Sequence, residues 1–131
     1  MTIQLKGIFQ ITAWDEIPYD ESDDDSKQSH AKIKQQYQGD IEGSSELQYL
    51  MCYSSKESAI FVGLEILSCN INGKIGSFVI QHKGKFESGI ASSEFSIVPS
   101  SGKKQLLDIT GSGSFKSSSN GQASYTLAVS F

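Results

Sequence analysis

Glu65 and His82 are the two residues whose types and positions could do acid–base chemistry. Both sit inside runs of β-type sequence, Ala59 to Leu67 and Gly76 to Lys83. A carboxylate set among Phe and Ile side chains loses its hydration, so it must find a hydrogen-bond partner or take up a proton. An imidazole on the neighbouring strand is such a partner, and the pair could move a proton or orient the polar end of a bound molecule. The same two residues could equally be a satisfied polar pair in a packed core.

Turn signals determine where these runs meet. Asn72-Gly73 and Ser88-Gly89 read as two-residue hairpin turns. They place Leu67 opposite Phe78, Glu65 opposite Ile80, Gly63 opposite His82 and Phe61 opposite Gly84, then His82 opposite Phe95, Ile80 opposite Ile97 and Phe86 opposite Ala91. One face then holds an aromatic and aliphatic set with Glu65 and His82 as diagonal neighbours, roughly 7 to 8 Å apart by their backbones. The other face pairs Lys83 with Glu94 and Gln81 with Ser96. Carrying the register through a turn at Lys56-Glu57 sets Gln48 opposite Glu65 as a second partner. The interior residues expected to meet a ligand are therefore Gln48, Phe61, Gly63, Glu65, Phe78, Ile80, His82 and Phe95. This register also throws Tyr49, Met51 and Tyr53 outward beside Ile60, Val62, Leu64, Ile66 and Val79. Such an outer apolar patch suits a homo-oligomer interface. Cover by the acidic stretch or by Leu106-Leu107 is the alternative.

The elements that must position these residues are short strands. Residues 2 to 13 alternate, with Ile3, Leu5, Phe9 and Ile11 on one face, and Trp14 ends the run. Further strands are expected over Ser29 to Gln38, Leu47 to Tyr53, the three runs above (the last Ser93 to Val98), Ile109 to Lys116 and Ser124 to Phe131, the last two joined at Asn120-Gly121. Residues 99 to 108 read as a turn with one helical turn. Eight strands with short connections suggest an antiparallel meander, and closing it into a barrel removes its exposed edges. The first and last strands both carry their apolar residues at odd positions, which agrees with closure.

A chain of 131 residues is one domain able to bury a core without staples. Seven of the fifteen acids lie between Asp15 and Asp25, and outside that segment eleven lysines face eight acids. The excess is spread, with no basic stripe for nucleic acid. Residues 15–27 read as an acidic surface loop; their spacing lacks the glycine and terminal glutamate of a calcium-binding EF-hand loop. The start alternates rather than forming a signal sequence, and no run reaches membrane-spanning length, so a cytoplasmic protein is expected. Cys52 and Cys69 read as two reduced thiols rather than a disulfide or metal pair. His30 reads as a surface residue, Gly102-Lys103-Lys104 lacks the context of a phosphate cradle, and neither a nucleophile elbow nor a zinc signature occurs. No metal or cofactor is expected.

The ordered set Gly7-Ile8-Phe9, Trp14-Asp15-Glu16, Pro18-Tyr19, Tyr37 to Gly43, Phe61 to Glu65, Gly73 to Gly84, Val98 to Gly102, Leu106 and Gly111 to Phe115 resembles a bacterial family of unknown function. Its members form an allene-oxide-cyclase-like, calycin-like eight-stranded barrel. The resemblance spans nearly the whole chain and implies chiefly that fold. Allene oxide cyclase itself folds an unsaturated epoxide in an apolar lumen and assembles as an oligomer, but a shared barrel does not carry chemistry with it. The leading expectation is a binding protein for a small, mostly apolar molecule in the lumen, with Glu65 and His82 orienting a polar end against Phe61, Phe78 and Phe95. The alternatives are an isomerase or cyclase in which Glu65 assists proton movement, and a filled barrel acting through its outer surface.

Overall fold

Alternation of apolar and polar residues puts most of the chain into strands. The computed structural model describes residues 2–22, 26–118 and 120–131. Its strands are β1 (Thr2–Glu21), β2 (Lys27–Gly39), β3 (Ile41–Ser55), β4 (Ser58–Ile71), β5 (Lys74–Glu87), β6 (Ile90–Ile97), β7 (Lys103–Lys104), β8 (Thr110–Ser117) and β9 (Gln122–Ser130). Leaving aside the two-residue β7, each strand pairs antiparallel with the next, and β9 pairs back onto β1. The result is a closed eight-stranded meander barrel. Among the described residues no helix is long and apolar enough to cross a membrane.

The β4–β5–β6 register is the one the turns dictate. Asn72 and Gly73 both adopt left-handed backbone, φ 52° and 87°, as a two-residue hairpin turn requires. Glu65 pairs with Ile80, Gly63 with His82, His82 with Phe95, and Lys83 with Glu94. Phe61, Leu67, Phe78, Ile80, Phe95 and Ile97 are buried inside the ring with Glu65 and His82.

Three expectations need correction. First, the hairpin at Lys56-Glu57 carries a bulge: Ser55 pairs with Ser58, but Tyr53 pairs with Ala59, leaving Ser54 unmatched. One extra residue reverses the face of everything before it. Tyr49 and Met51 are therefore buried inside, Tyr53 packs against the core, and Gln48, Leu50 and Cys52 face outward. Leu47, not Gln48, stands opposite Glu65. Second, most of the acidic segment is strand. β1 runs on to Glu21 against β2, with Asp15 opposite Lys32 and Glu16 opposite Ala31. Asp23 to Asp25, part of the stretch weighed as a calcium loop, lie outside the described residues. Third, residues 99–108 form β7 and a turn instead of a helical turn. β7 pairs with Gly76 and Ser77, below the point where β6 leaves β5. Its turn buries Leu106 and Ile109 at that end.

Candidate functional site

The bulge that turned β3 over also determines what surrounds the acid–base pair. Glu65 Oε1 accepts from His82 Nε2 at 2.6 Å, and Glu65 Oε2 accepts from the Tyr37 hydroxyl at 2.6 Å. His82 Nδ1 lies 3.0 Å from Ser93 Oγ. Ser93 Oγ in turn reaches the carbonyls of Glu94 and Lys83, at 3.2 and 3.3 Å. Four residues on β2, β4, β5 and β6 thus form one polar chain, and all are buried. Burying a carboxylate costs several kcal/mol unless other groups replace its water. Two short bonds to the two oxygens do that here. The Tyr37 hydroxyl ionises only well above its ordinary range, because it is buried and faces the Glu65 carboxylate.

Glycines make room for the rings around this chain. A side chain at Gly63 would run into the Tyr49 ring, with Cδ1 2.6 Å from the added carbon, and one at Gly84 would meet Phe61 Cζ at 2.5 Å. Tyr49 and Phe61 stack with centroids 4.4 Å apart, and Tyr49 meets His82 edge-on at 5.6 Å. Phe115 meets His82 in the same way, at 5.6 Å. The space left by Gly63 is therefore filled by protein.

Above these rings lies a cavity of about 170 Å³ at the end of the barrel where the β5–β6 and β8–β9 turns stand. Phe9, Trp14, Tyr49, Met51, Phe61 and Phe115 supply most of its apolar wall, and Gln35, Ser117 and Ser118 add polar side chains. The register of β1 shifts between Ile11 and Ala13. Beyond that bulge the even-numbered residues turn inward, so Trp14 pairs with the buried Ile33 and reaches the rim, 45% exposed. Glu16, also turned inward, accepts hydrogen bonds from Trp14 Nε1 at 3.0 Å and from the Ser29 hydroxyl. Burial raises the pKa of that carboxyl, yet the bonds from Ser29, Tyr53 and Trp14 and the charge of Lys27 outweigh it and hold the group below its ordinary value. Gln35 Oε1 and the Tyr49 hydroxyl have no hydrogen-bond partner although both are buried. Tyr49 ionises only well above its ordinary range, through burial and the nearby Glu65 charge.

Of the residues expected to meet a ligand, Phe61 alone lines this cavity. Glu65 and His82 lie beneath its floor of Tyr49, Phe61 and Phe115. Phe78, Ile80 and Phe95 belong to the packed part of the core. Gln48 is outside, where its Oε1 meets His30 Nε2 at 2.9 Å. Gly63 carries the Tyr49 ring. The sequence reading missed Tyr37, Ser93, Gln35, Phe9, Trp14, Met51 and Phe115. Gln35 was legible: it shares the inward parity of Ala31, Ile33 and Tyr37, a polar amide in an apolar row. The outer patch persists in altered form, with Leu50, Ile60, Val62, Leu64 and Ile66 each about half exposed or more. Among the described residues, no three His, Cys, Asp or Glu side chains come together as a metal site.

The ring of strands, the buried polar chain at its waist and the apolar cavity at one end describe a small closed antiparallel β-barrel. The chain belongs to the family described as Protein of unknown function (DUF3224), whose profile matches residues 5–129. A crystal structure of a DUF3224 protein of unknown function from Shewanella oneidensis MR-1 is similar in fold, with a TM-score of 0.79 at 24% identity, over 100% of this chain and 98% of that one. No curated protein matches the sequence.

Proposed function

We propose that this barrel binds a small, mostly apolar molecule in the cavity at its open end. The observation that carries the reading is the cavity itself, about 170 Å³ walled largely by aromatic side chains. Preformed apolar pockets with few polar groups are the usual form of small-molecule sites. A catalytic part for Glu65 or His82 gains no support from the geometry, because a general base must come within hydrogen-bond reach of the proton it takes. Both groups are buried, and the rings of Tyr49, Phe95 and Phe115 pack against the His82 imidazole. They hold β2, β4, β5 and β6 in register beneath the pocket. A cytoplasmic setting accords with Cys52 and Cys69 both standing free, since oxidising compartments tend to pair thiols.

Trp14 is the only tryptophan, so its fluorescence reports the pocket directly. Titration with toluene should change Trp14 emission saturably, and Ala123→Phe, which fills the cavity from the β9 wall, should abolish the change. An unchanged spectrum at saturating toluene would refute the proposal.

A second reading is favoured by the outer face of β4. Ile60, Val62, Leu64 and Ile66 stand in one row, 49–64% exposed, joined by Leu50 on β3 and Val79 on β5 and bordered by Gln48, Gln81, Lys83 and Lys85 beside them. An apolar row with a polar rim suits packing against a second copy of the chain. Sedimentation equilibrium should then give a dimer that Val62→Lys dissociates; a monomer at high concentration refutes it.

A further inference from the structure

Past Gln10 the first strand loses one of its two neighbours. β1 pairs with β9 as far as Gln10 opposite Gln122, and beyond that point, among the described residues, it pairs with β2 alone. The Ile11 N–H still reaches across, to the Gly121 carbonyl at 3.0 Å. Successive strand residues turn their backbone groups to alternate sides, and the extra residue between Ile11 and Ala13 resets that alternation. Ala13, Asp15 and Ile17 therefore turn theirs to β2, whereas Trp14 and Glu16 present theirs at the open edge. Pro18, next in that series, offers a carbonyl but no N–H. An unpaired row of this kind is a template for another strand.

Charge decides which strand fits. Residues 13 to 21 carry Asp15, Glu16, Asp20 and Glu21 and no base. Lys32 and Lys27 oppose Asp15 and Glu21 from the β2 side, and the stretch as a whole stays acidic. A second copy laid along the same edge would set these carboxylates against one another, which is destabilising. The same acids attract a basic strand, so they admit one partner and repel the other. Trp14, Ile17 and Tyr19 are 45–61% exposed and give such a strand apolar surface to lie against.

We propose that the edge of β1 from Ala13 to Pro18 docks a lysine- or arginine-rich extended segment of a partner protein, which adds to the sheet as a further strand. Backbone bonds to Trp14 and Glu16 supply the register, and Asp15 and Asp20 select the charge. The proposal stands independently of the pocket reading, because it rests on backbone groups and charge and not on the cavity.

Trp14, the only tryptophan, lies on this edge and reports its occupation. The full chain is titrated at low salt with the capped peptide Lys-Val-Lys-Val-Lys-Val-Lys, with its counterpart bearing Glu for Lys, and with an N-methylated form of the lysine peptide that keeps its charge but donates no backbone bonds. The lysine peptide should change Trp14 emission saturably and bind more weakly as salt rises, and the glutamate peptide should leave the emission unchanged. N-methylation should weaken binding about tenfold or more, the loss of two or three backbone hydrogen bonds. In the Asp15→Lys, Asp20→Lys double variant the preference should reverse toward the glutamate peptide. An unchanged spectrum with the lysine peptide would overturn the proposal. Equal binding of the glutamate peptide would do the same, and so would equal binding of the N-methylated form, which would reduce the effect to charge attraction without strand pairing. Trp14 emission that changes with protein concentration alone would identify a second copy as the occupant and overturn it too.

Discussion

The waist of the barrel and its open end treat buried polar groups in opposite ways. At the waist, Tyr37, Glu65, His82 and Ser93 satisfy one another through contacts of 2.6 to 3.0 Å. At the open end, Gln35 Oε1 and the Tyr49 hydroxyl have no protein partner. The two tyrosines make the contrast sharp, since both are buried inward residues on adjacent strands and both face the field of Glu65. One region is finished within the chain and serves stability. The other leaves two buried polar atoms unpaired.

The largest effect should come from breaking the finished region. Glu65→Ala leaves His82 and Tyr37 without their acceptor, and losing one partner of a buried charged cluster costs about 3–5 kcal/mol. Urea unfolding should show that loss, and a change below about 1 kcal/mol would mean that the waist is no tighter than an exposed ion pair. Next come the matched tyrosines. Tyr37→Phe should cost about 1.5–3 kcal/mol, the worth of a hydrogen bond to a charged acceptor, while Tyr49→Phe, which removes an unpaired hydroxyl, should be neutral or stabilising. Equal losses in the two variants would erase the contrast between the regions.

The waist was half legible in the sequence and the open end hardly at all. Two turns of fixed length carried the register from Phe61 through Phe95, which brought Glu65 and His82 onto one inner face. Both failures trace to single extra residues. A bulge at Ser54 reverses β3, which moves Gln48 out and Tyr49 and Met51 in. A bulge between Ile11 and Ala13 turns Trp14 inward at the rim. Neither has a distinctive residue type, because a bulge costs only one unpaired backbone position and many side chains tolerate it. The acidic composition of residues 15–25 also hid a strand, because the sheet there has one free edge and its outward carboxylates remain in water. Tyr37 was missed for a different reason: it reaches Glu65 across the barrel, and strand alternation predicts faces but not contacts across a lumen.

The smallest expected effect concerns the hairpin that frames the open end, and it depends on pH. Glu16 accepts from Ser29 and Trp14 inside the β1–β2 extension, and its folded pKa lies below the ordinary 4.5. The unfolded chain therefore binds this proton more readily than the folded one. The stabilisation is fully present above pH 4.5 and disappears as the pH falls through the lower folded value. Thermal melting from pH 7 downward should show the natural chain more stable than Glu16→Gln at neutral pH, with the gap closing under acid conditions. Trp14 emission should shift over the same range, because its indole N–H loses a charged acceptor. A gap that stays constant or widens on acidification would show that Glu16 does not brace the rim through its charge. The satisfied waist would then be independent of pH-sensitive support from the hairpin, and the open end would owe its shape to ring packing alone.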